Sequence, residues 1–257
     1  MIIMPRRIKI IGLETIPEIK PGDNLARIIV EACKREKVSI DDNDIIVVTS
    51  KIVSKSEGRI VDLRKISPSE RAIKLSKVTG KDPRLVELIL RESDKVIKSV
   101  PHHIIVSTRG GLICANAGID RSNVAGMKDI VVLLPKDPSY SARKIGKEIE
   151  KLTGKNIGLV ITDTYGRPLR NGQVDMAIGT YKVCIFKDYR GKLDLKKYKM
   201  RIKKIAFVDE IAAAAELVKG NGAEGIPVAI IKGLEWETCT DASIDELYMP
   251  EKKWLFR

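Results

Sequence analysis

The sequence lacks the features that mark membrane and secreted proteins. No run approaches the roughly 18 apolar residues that a membrane-spanning helix requires. The amino-terminal stretch MIIMPRRIKIIG has neither a long apolar core nor a small-residue cleavage site, so it does not read as an export signal. We therefore expect a soluble cytoplasmic protein without a membrane partner.

Histidine and cysteine are scarce. The only histidines are the neighbours His102 and His103, which fit the entry to a strand better than a catalytic Ser-His-Asp or Cys-His set. The four cysteines lie far apart, at Cys33, Cys114, Cys184 and Cys239. This spacing argues against a Cys/His zinc site. In a reducing cytoplasm we expect buried free thiols.

Aromatic residues are also few, at 4%, whereas basic residues are abundant. Lys plus Arg number 47 against 34 for Asp plus Glu, a formal net charge of +13. Such a charge attracts nucleic acid, nucleotides or polyanionic metabolites, although solvated lysines on helix faces explain it equally well. The 257 residues contain no internal repeat and no low-complexity linker, so we treat 1–257 as a single unit.

Apolar periodicity and capping residues predict interleaved helices and strands. Helices are predicted at 25–36, at 67–80 with Gly80 as the cap, at 81–100, at 139–154 with Gly154 as the cap, and at 206–220. Strands are predicted at 6–12, 45–50, 130–134, 156–164 and 227–232, together with a hairpin turning on Gly110 and Gly111. The predicted class is mixed α/β (α+β), with no demand for a doubly wound sheet or a barrel.

No standard phosphate-binding motif is present, since neither G-x-x-x-x-G-K-[ST] nor G-x-G-x-x-G after a strand occurs. The stretch KGNGAEGIP, residues 219–227, is either a helix end followed by a turn or a cradle of backbone N–H groups around phosphate oxygens. The sequence leaves both interpretations open.

Two polar loops carry the strongest chemical signals. CANAGIDRSNV contains Asp120, and ITDTYGRPLRNGQ places Asp163 and Thr164 at the end of an apolar strand, ahead of Arg167. Carboxylate and hydroxyl oxygens suit hard divalent cations, and guanidinium groups match phosphate oxygens. Capped turns with surface arginines are the alternative for either loop taken alone.

Two basic segments remain ambiguous. SKIVSKSEGR, which includes Ser50, Lys51 and Lys55, could line a phosphate groove or form an exposed edge strand. Residues 182–204 combine many lysines with four aromatic residues from position 181 onward. That combination can bind single-stranded nucleic acid, but a solvated face or a patch for an anionic metabolite fits better.

Taken together, these stretches resemble one family, coenzyme F-420:L-glutamate ligase, also called F-420-0:gamma-glutamyl ligase. The matching strings are IPEIKPGDNL, VVTSKIVSKSEGRI, PSERA, ICANAGIDRSNV, LTGKNIGLVITDTYGRPLRNGQVDMAIG, VDEIAAAAEL and GNGAEGIPVAIIKG. They run in family order and cover nearly the whole chain.

The resemblance implies an archaeal-type GTP-dependent enzyme that joins L-glutamate through a gamma-linkage to coenzyme F-420-0 by way of an acyl phosphate. It also implies two divalent ions, Mg2+ or Mn2+, with K+ assisting. The implied fold has two intimately joined subdomains in an intertwined homodimer, with no nucleic-acid partner. No covalent protein nucleophile is needed, which agrees with the missing triad.

Residue roles follow from the same resemblance. We assign Asp120, Asp163 and Arg167 as catalytic. The implied metal ligands are Asp120, Asp163, Thr164 and Asn221. The implied GTP-binding residues are Ile16, Pro17, Glu18, Ile19, Ser50, Lys51, Lys55, Asn123, Lys219, Gly220, Asn221, Gly222, Ala223, Glu224, Gly225 and Ile226.

One position departs from the family pattern. The family often has an acidic residue or a glutamine where this chain has Asn221, whose amide oxygen can coordinate but brings no charge. Glu224 lies close by and is the alternative ligand. Two other hypotheses remain: the same chemistry on another acidic acceptor, or a basic nucleic-acid-binding protein, which the carboxylates of Asp120 and Asp163 disfavour unless a metal intervenes.

Overall fold

The structure is a computed structural model that describes residues 6–121 and 129–255. Its α-helices within those residues are α1 (Leu25–Arg35), α2 (Ser50–Ser56), α3 (Glu70–Thr79), α4 (Pro83–Arg91), α5 (Pro138–Thr153) and α6 (Phe207–Lys219). Several begin and end as the capping residues predict. The Asn24 side chain accepts from the backbone N of Arg27, and Gly80 and Gly154 close α3 and α5 in the left-handed conformation.

The strands are short and belong to four sheets. They are β1 (Lys9–Gly12), β2 (Ile45–Thr49), β3 (Ile60–Asp62), β4 (Ser93–Val100), β5 (His103–Thr108), β6 (Ile113–Ala115), β7 (Ile130–Val132), β8 (Gly158–Gly166), β9 (Gln173–Tyr181), β10 (Phe186–Asp188), β11 (Lys204–Ala206) and β12 (Val228–Lys232). The mixed α and β class predicted from the sequence is confirmed, and so is the hairpin at Gly110 and Gly111, which joins β5 to β6.

A five-stranded sheet with the order β1-β12-β2-β8-β9 forms the centre of the fold. Only β2 and β8 are parallel, and β12, the last strand in the chain, lies between β1 and β2. Strand β2 is apolar on both faces because each face is covered: Ile46 and Val48 pack with α1 and α5, whereas Ile45 and Val47 pack with α6.

A second core lies beside the central sheet. Its buried residues come from Leu63 to Leu133 and include Leu85 and Ile89 of α4 and Ile104 and Val106 of β5. The three-stranded sheet β4-β5-β6 and the β3-β7 pair both contribute to it.

The prediction of one helix over 81–100 is wrong in its second half. Helix α4 ends at Arg91, and residues 93–100 form β4, which pairs antiparallel with β5. Local periodicity does not predict this pairing, because the partner strand β5 lies further along the chain. The apolar residues Val96 and Ile97 satisfy either pattern locally, and strand pairing decides between them.

The prediction of four free thiols is also wrong. Cys184 and Cys239, 55 positions apart, form a disulfide, whereas Cys33 and Cys114 are free. The bond ties the segment after β12 to the start of the β10–β11 hairpin. Burial raises the pKa of the Cys33 thiol to about 11 and that of Cys114 to about 12, so both stay protonated at neutral pH.

No helix in the described parts of the chain is long and apolar enough to cross a membrane. The single-unit organisation of residues 1–257 and the intertwined homodimer stay predictions.

Candidate functional site

Several loops meet at one edge of the central sheet. Because β2 and β8 are parallel, their carboxyl ends lie side by side, with Thr49 opposite Thr162. The antiparallel β12 begins at the same edge, where the backbone N of Thr49 donates to the carbonyl O of Pro227 at 2.9 Å. The loop after β1 joins them, since the N of Leu13 donates to the O of Val228. We call this place the carboxyl edge; it gathers segments from both halves of the chain.

Strand β8 continues beyond the end of β2. Asp163 and Thr164 lie within the strand, opposite Met176 and Asp175 of β9, and the pairing extends to Gly166. The sequence placed these two residues at a strand end. They are instead exposed to the site because β2 stops at Thr49 while the β8–β9 hairpin runs on. A hairpin holds their backbone more firmly than a loop would.

The first cluster at the carboxyl edge joins Ser50, Lys51, Asp120 and Asp163. The Ser50 hydroxyl donates to Oδ1 of Asp163 at 2.6 Å, and Nζ of Lys51 lies 2.8 Å from Oδ2 of Asp120. Ser50 and Lys51 open helix α2, so residues 50–56 are not an edge strand, and their lining of a phosphate groove stays a prediction. The helix turns Lys51 towards one carboxylate and Ser50 towards the other.

The carboxyl group of Asp163 is poised between protonated and ionised forms. Burial raises its pKa to about 7, with the negative charges of Asp175 and Asp120 adding to the effect and the Ser50 hydroxyl opposing it. Carboxylates that lie close together in a partly buried position are typical of a cation site, because a bound cation offsets the free-energy cost of ionising them.

Asp120 reaches the edge through backbone pairing with β7. Its N and O exchange hydrogen bonds with the O and N of Val132, both at 2.9 Å. In the same loop, Oδ1 of Asn116 is buried and has no hydrogen-bond partner in the described part of the chain. A buried acceptor without a donor calls for an explanation, and a bound ligand supplies one. Asn123, predicted to contact GTP, lies outside the described residues.

The second cluster surrounds Asp175. Its carboxylate accepts from Thr162 at 2.9 Å, from Thr164 at 3.1 Å and from Nζ of Lys219 at 2.6 Å. The side chain of Lys219 is completely buried, and its Nζ also lies 2.7 Å from Oγ1 of Thr162. Lys219 was predicted to bind GTP, but its ammonium is turned inward to Asp175.

Asn221 lies at the solvent side of this cluster. Its Oδ1 is 2.9 Å from Oγ1 of Thr164, and its Nδ2 donates to Oε1 of Glu216. The other carboxylate oxygen of Glu216 accepts from the backbone N of Asp175 at 2.8 Å. The structure thus brings together Thr164 and Asn221, the pair predicted to hold the second metal.

The alternative ligand, Glu224, points elsewhere. Its Oε2 accepts from the backbone N of Gly222 at 2.7 Å, so the carboxylate closes its own loop. Gly220 has φ +66, and a Cβ there would collide with the Glu224 carboxyl group. The backbone N–H of Gly222 therefore meets a carboxylate where a nucleotide phosphate could bind. Gly220 also ends α6, so this loop is a helix end, as one of the two interpretations held.

The remaining predicted GTP residues flank the first cluster. In the loop 16–19, Ile19 is buried and Ile16 packs against the core between the central sheet and helices α1 and α5. These contacts fix the loop. Nζ of Lys55, itself buried, reaches Oε1 of Glu18 at 2.6 Å. Lys55 is thus held at the edge by an exposed carboxylate that an incoming phosphate could displace.

Arg167 bonds within its own loop. Its Nη2 donates to the O of Asn171 at 3.3 Å, within its own loop. Its Nε is buried and has no hydrogen-bond partner in residues 6–121 and 129–255. The catalytic role of Arg167 stays a prediction.

The sequence analysis missed three residues that organise this site, namely Thr162, Asp175 and Glu216. One signal was available for Asp175. It interrupts the otherwise apolar strand VDMAIG, and a carboxylate in a buried strand is normally paired. Nothing in the sequence reveals that its partner is Lys219.

Residues 14–233 match the family described as F420-0:Gamma-glutamyl ligase. The chain is 44% identical over 236 residues to the "Coenzyme F420:L-glutamate ligase" of Methanocaldococcus jannaschii, covering 91% of this chain and 90% of that protein. The protein of the same name from Methanosarcina mazei is 44% identical over 241 residues, covering 94% and 92%. That of Archaeoglobus fulgidus is 39% identical over 251 residues, covering 98% and 97%.

Proposed function

The chain belongs to the F420-0:gamma-glutamyl ligase family, and we propose from this that it adds L-glutamate to coenzyme F-420-0 with GTP as the energy source. The observation that best supports the proposal is the convergence of Asp120, Asp163, Thr164 and Asn221 at one sheet edge. These four oxygen-bearing side chains come from three distant parts of the sequence, and Lys51 lies against one of them.

The proposed reaction has two steps. The acceptor carboxylate attacks the γ-phosphorus of GTP, forming an acyl phosphate and releasing GDP. The amine of glutamate then attacks the acyl carbon, phosphate leaves, and the nitrogen loses a proton as the amide forms. A free carboxylate is a poor electrophile, so the first step supplies a leaving group. The protein's contribution is positioning and charge neutralisation, not a covalent nucleophile.

The donor set fits two divalent cations, Mg2+ or Mn2+. Asp120 and Asp163 would hold one, and the Thr164 hydroxyl with the Asn221 amide oxygen would hold the other; all four are the oxygen donors that such ions prefer. Divalent ions in such a site neutralise the charge on the transferred phosphoryl group. The raised pKa of Asp163 supports this assignment, because its crowded carboxyl group gains most from a nearby positive charge.

Lys51 and Lys55 bring fixed positive charge to the phosphates. In the free protein each ammonium group lies against a carboxylate, Asp120 for Lys51 and Glu18 for Lys55. If Asp120 held a cation, Lys51 would be released to bind a phosphate oxygen. The loops 16–19 and 219–226 would then enclose the nucleotide, and K+ would assist, as the family resemblance implies.

Mass spectrometry of F-420-0 incubated with enzyme, GTP, Mn2+ and L-glutamate tests the proposal. We expect a mass gain of one or more glutamyl residues only when nucleotide and divalent ion are both present. Equal product without nucleotide would overturn the acyl phosphate mechanism. GTP turnover that forms no product with F-420-0, but does so with another acid, would favour the alternative acceptor.

We propose a homodimer on the family resemblance. Light scattering at micromolar concentration measures this directly, and a monomer mass would contradict it.

A further inference from the structure

We infer that Asp175 is a positioning residue. It accepts the hydrogen bond of the Thr164 hydroxyl, so that lone pairs of the Thr164 oxygen and of the Asn221 amide oxygen both face a cation. The inference rests on the proposed role of Thr164 and Asn221 as ligands of the second divalent ion. It adds Asp175 and Glu216, to which neither the motifs nor the resemblance assign a role.

The first step concerns the single proton of Thr164. Its Oγ1 lies 3.1 Å from Oδ1 of Asp175 and 2.9 Å from Oδ1 of Asn221. A hydroxyl has one proton to donate and both neighbours are acceptors, so only one of them can receive it. A carboxylate is the stronger acceptor, because a hydrogen bond to a charged group is roughly twice as strong as a neutral one. The proton therefore goes to Asp175.

The second step concerns the orientation of Asn221. Oxygen and nitrogen of an amide are told apart by their partners. A Glu216 carboxylate oxygen only accepts, so the NH2 group of Asn221 must face it and the amide oxygen must face Thr164. Glu216 is itself fixed, since its second oxygen accepts from the backbone N of Asp175.

Two oxygens without a proton between them consequently face each other across 2.9 Å. Their lone pairs repel in the free protein, and a cation placed against both turns the repulsion into coordination. The same two carboxylates, Asp175 and Glu216, create this arrangement from behind. Such supporting groups orient metal ligands, and their loss typically weakens metal affinity by about 10- to 100-fold.

The third step concerns what holds Asp175. Thr162 and Lys219 both bond its other oxygen, Oδ2, which leaves Oδ1 to receive Thr164. The two oxygens thus have separate duties, one anchoring the group in the core and the other facing the site. A buried ion pair is a poor device for stability alone, since apolar residues in its place often stabilise as well or better. Its occurrence behind the ligand pair favours a role in positioning.

Mn2+ binding tests the inference without relying on turnover. Free Mn2+ is measured by electron paramagnetic resonance as the metal is titrated into the protein with a GTP analogue whose β–γ bridge is nitrogen. The wild type should bind two ions per chain. Asp175→Asn should weaken one of them on the order of 10- to 100-fold and leave the other within about twofold.

A double-variant cycle separates positioning from a general disturbance. Thr164→Val removes the ligand oxygen and keeps the shape, so the Asp175→Asn, Thr164→Val double variant should lose no more affinity than Thr164→Val alone. If the double variant instead lost Mn2+ affinity by the product of the two single losses, the inference would be overturned, as it would by wild-type Mn2+ binding in Asp175→Asn. If Asp175→Asn fails to fold, Glu216→Gln takes its place. We expect the same loss of affinity, because the carboxylate that fixes the orientation of the Asn221 amide is then missing.

Asp209→Asn is the matched control. Like Glu216, Asp209 lies on α6 and accepts from the β9 backbone, but at the N of Ala177, which pairs with Thr162 and not with Thr164. It should leave both Mn2+ affinities unchanged, and an equal loss would show that any break between α6 and β9 has the same effect, contradicting the inference. A wild type that binds two ions yet forms no glutamyl product refutes the proposed function while leaving the positioning role intact. A wild type that binds one ion refutes the positioning role.

Discussion

The two ends of helix α6 use lysine in opposite ways. At its carboxyl end, Lys219 is completely buried and meets Asp175 at 2.6 Å. Beyond its amino end, the hairpin of residues 186–206 carries nine basic residues against two acidic ones, nearly all exposed. Nζ of Lys187, Lys192 and Lys203 lies 6.0, 5.7 and 5.7 Å from the centre of the Tyr189 ring.

The acidic residues of the hairpin are already engaged. Asp188 binds Arg190, which together with the nearby backbone lowers the pKa of Asp188 to about 2, and Asp194 accepts from two backbone N–H groups. The hairpin lines a concavity of about 770 Å³, to which its own residues Leu193 and Leu195 contribute. More than half of the formal net charge of +13 thus belongs to a hairpin that contributes no residue to the two clusters at the carboxyl edge. The charges at the carboxyl edge are few, paired and directed, whereas those of the hairpin form a diffuse field.

The same substitution at both places gives the sharpest test of this contrast. Lys219→Met leaves the Asp175 carboxylate buried without its partner, which should lower the free energy of unfolding by about 3–5 kcal/mol. Lys187→Met should change it by less than about 0.5 kcal/mol, since an exposed side chain is removed. Urea unfolding of both variants measures the difference. Equal losses of unfolding free energy would show that the buried Lys219–Asp175 pair contributes no more to stability than an exposed lysine does.

Removing the disulfide measures how much the crosslink at the start of the hairpin contributes to stability. Cys184→Ser with Cys239→Ser opens a loop closed across 55 positions and should lower stability by about 2–4 kcal/mol, chiefly by freeing the unfolded chain. Thermal melts with and without a reducing agent should reproduce that loss in the wild type. The Mn2+ affinity of the folded variant should not change, because the bond lies at the opposite end of the sheet from Asp163. A large change in affinity would link the two ends.

Asp163→Ala tests the carboxyl edge directly. It removes a proposed metal ligand, and we expect turnover to fall on the order of 10²-fold or more, by analogy with phosphoryl-transfer sites where charge placement supplies most of the rate. Assays across a Mn2+ titration, with thermal melts alongside, distinguish lost chemistry from lost folding. Wild-type turnover with wild-type metal dependence would disprove the assignment. Lys196→Ala in the hairpin is the control that should leave turnover unaltered.

The pH dependence of stability is the smallest expected effect. In the metal-free protein Asp163 has a pKa near 7, whereas in the unfolded chain it titrates near 3.8. The folded state therefore binds the proton more tightly, and this contribution to stability is full below pH 3.8 and is lost as pH rises through 7. Between pH 6 and 8 the loss should be about 1.4 kcal/mol. Asp163→Asn should flatten the profile in urea unfolding; an unchanged slope would place the titration on another group.

Local signals predicted the helices with clear caps and missed what depends on distant partners. Asn24, Gly80 and Gly154 mark helix ends that the structure reproduces to within a residue or two. The strand at 93–100 was missed because β5 creates it. The same division holds at the site. Asp120 and Asp163 stand out in specific motifs, whereas Asp175 matters through Lys219, 44 positions away.

The place of β12 has a consequence for protein synthesis. This strand is central in the sheet, yet it leaves the ribosome after every other strand, together with the loop 219–226. Until it arrives, β1 has no partner within the described sheet and one edge of β2 stays open. A nascent chain interrupted before residue 219 therefore has neither the complete central sheet nor all the residues of the proposed nucleotide site. We expect such fragments to be targets for chaperones and proteases, and to lack the proposed ligase activity.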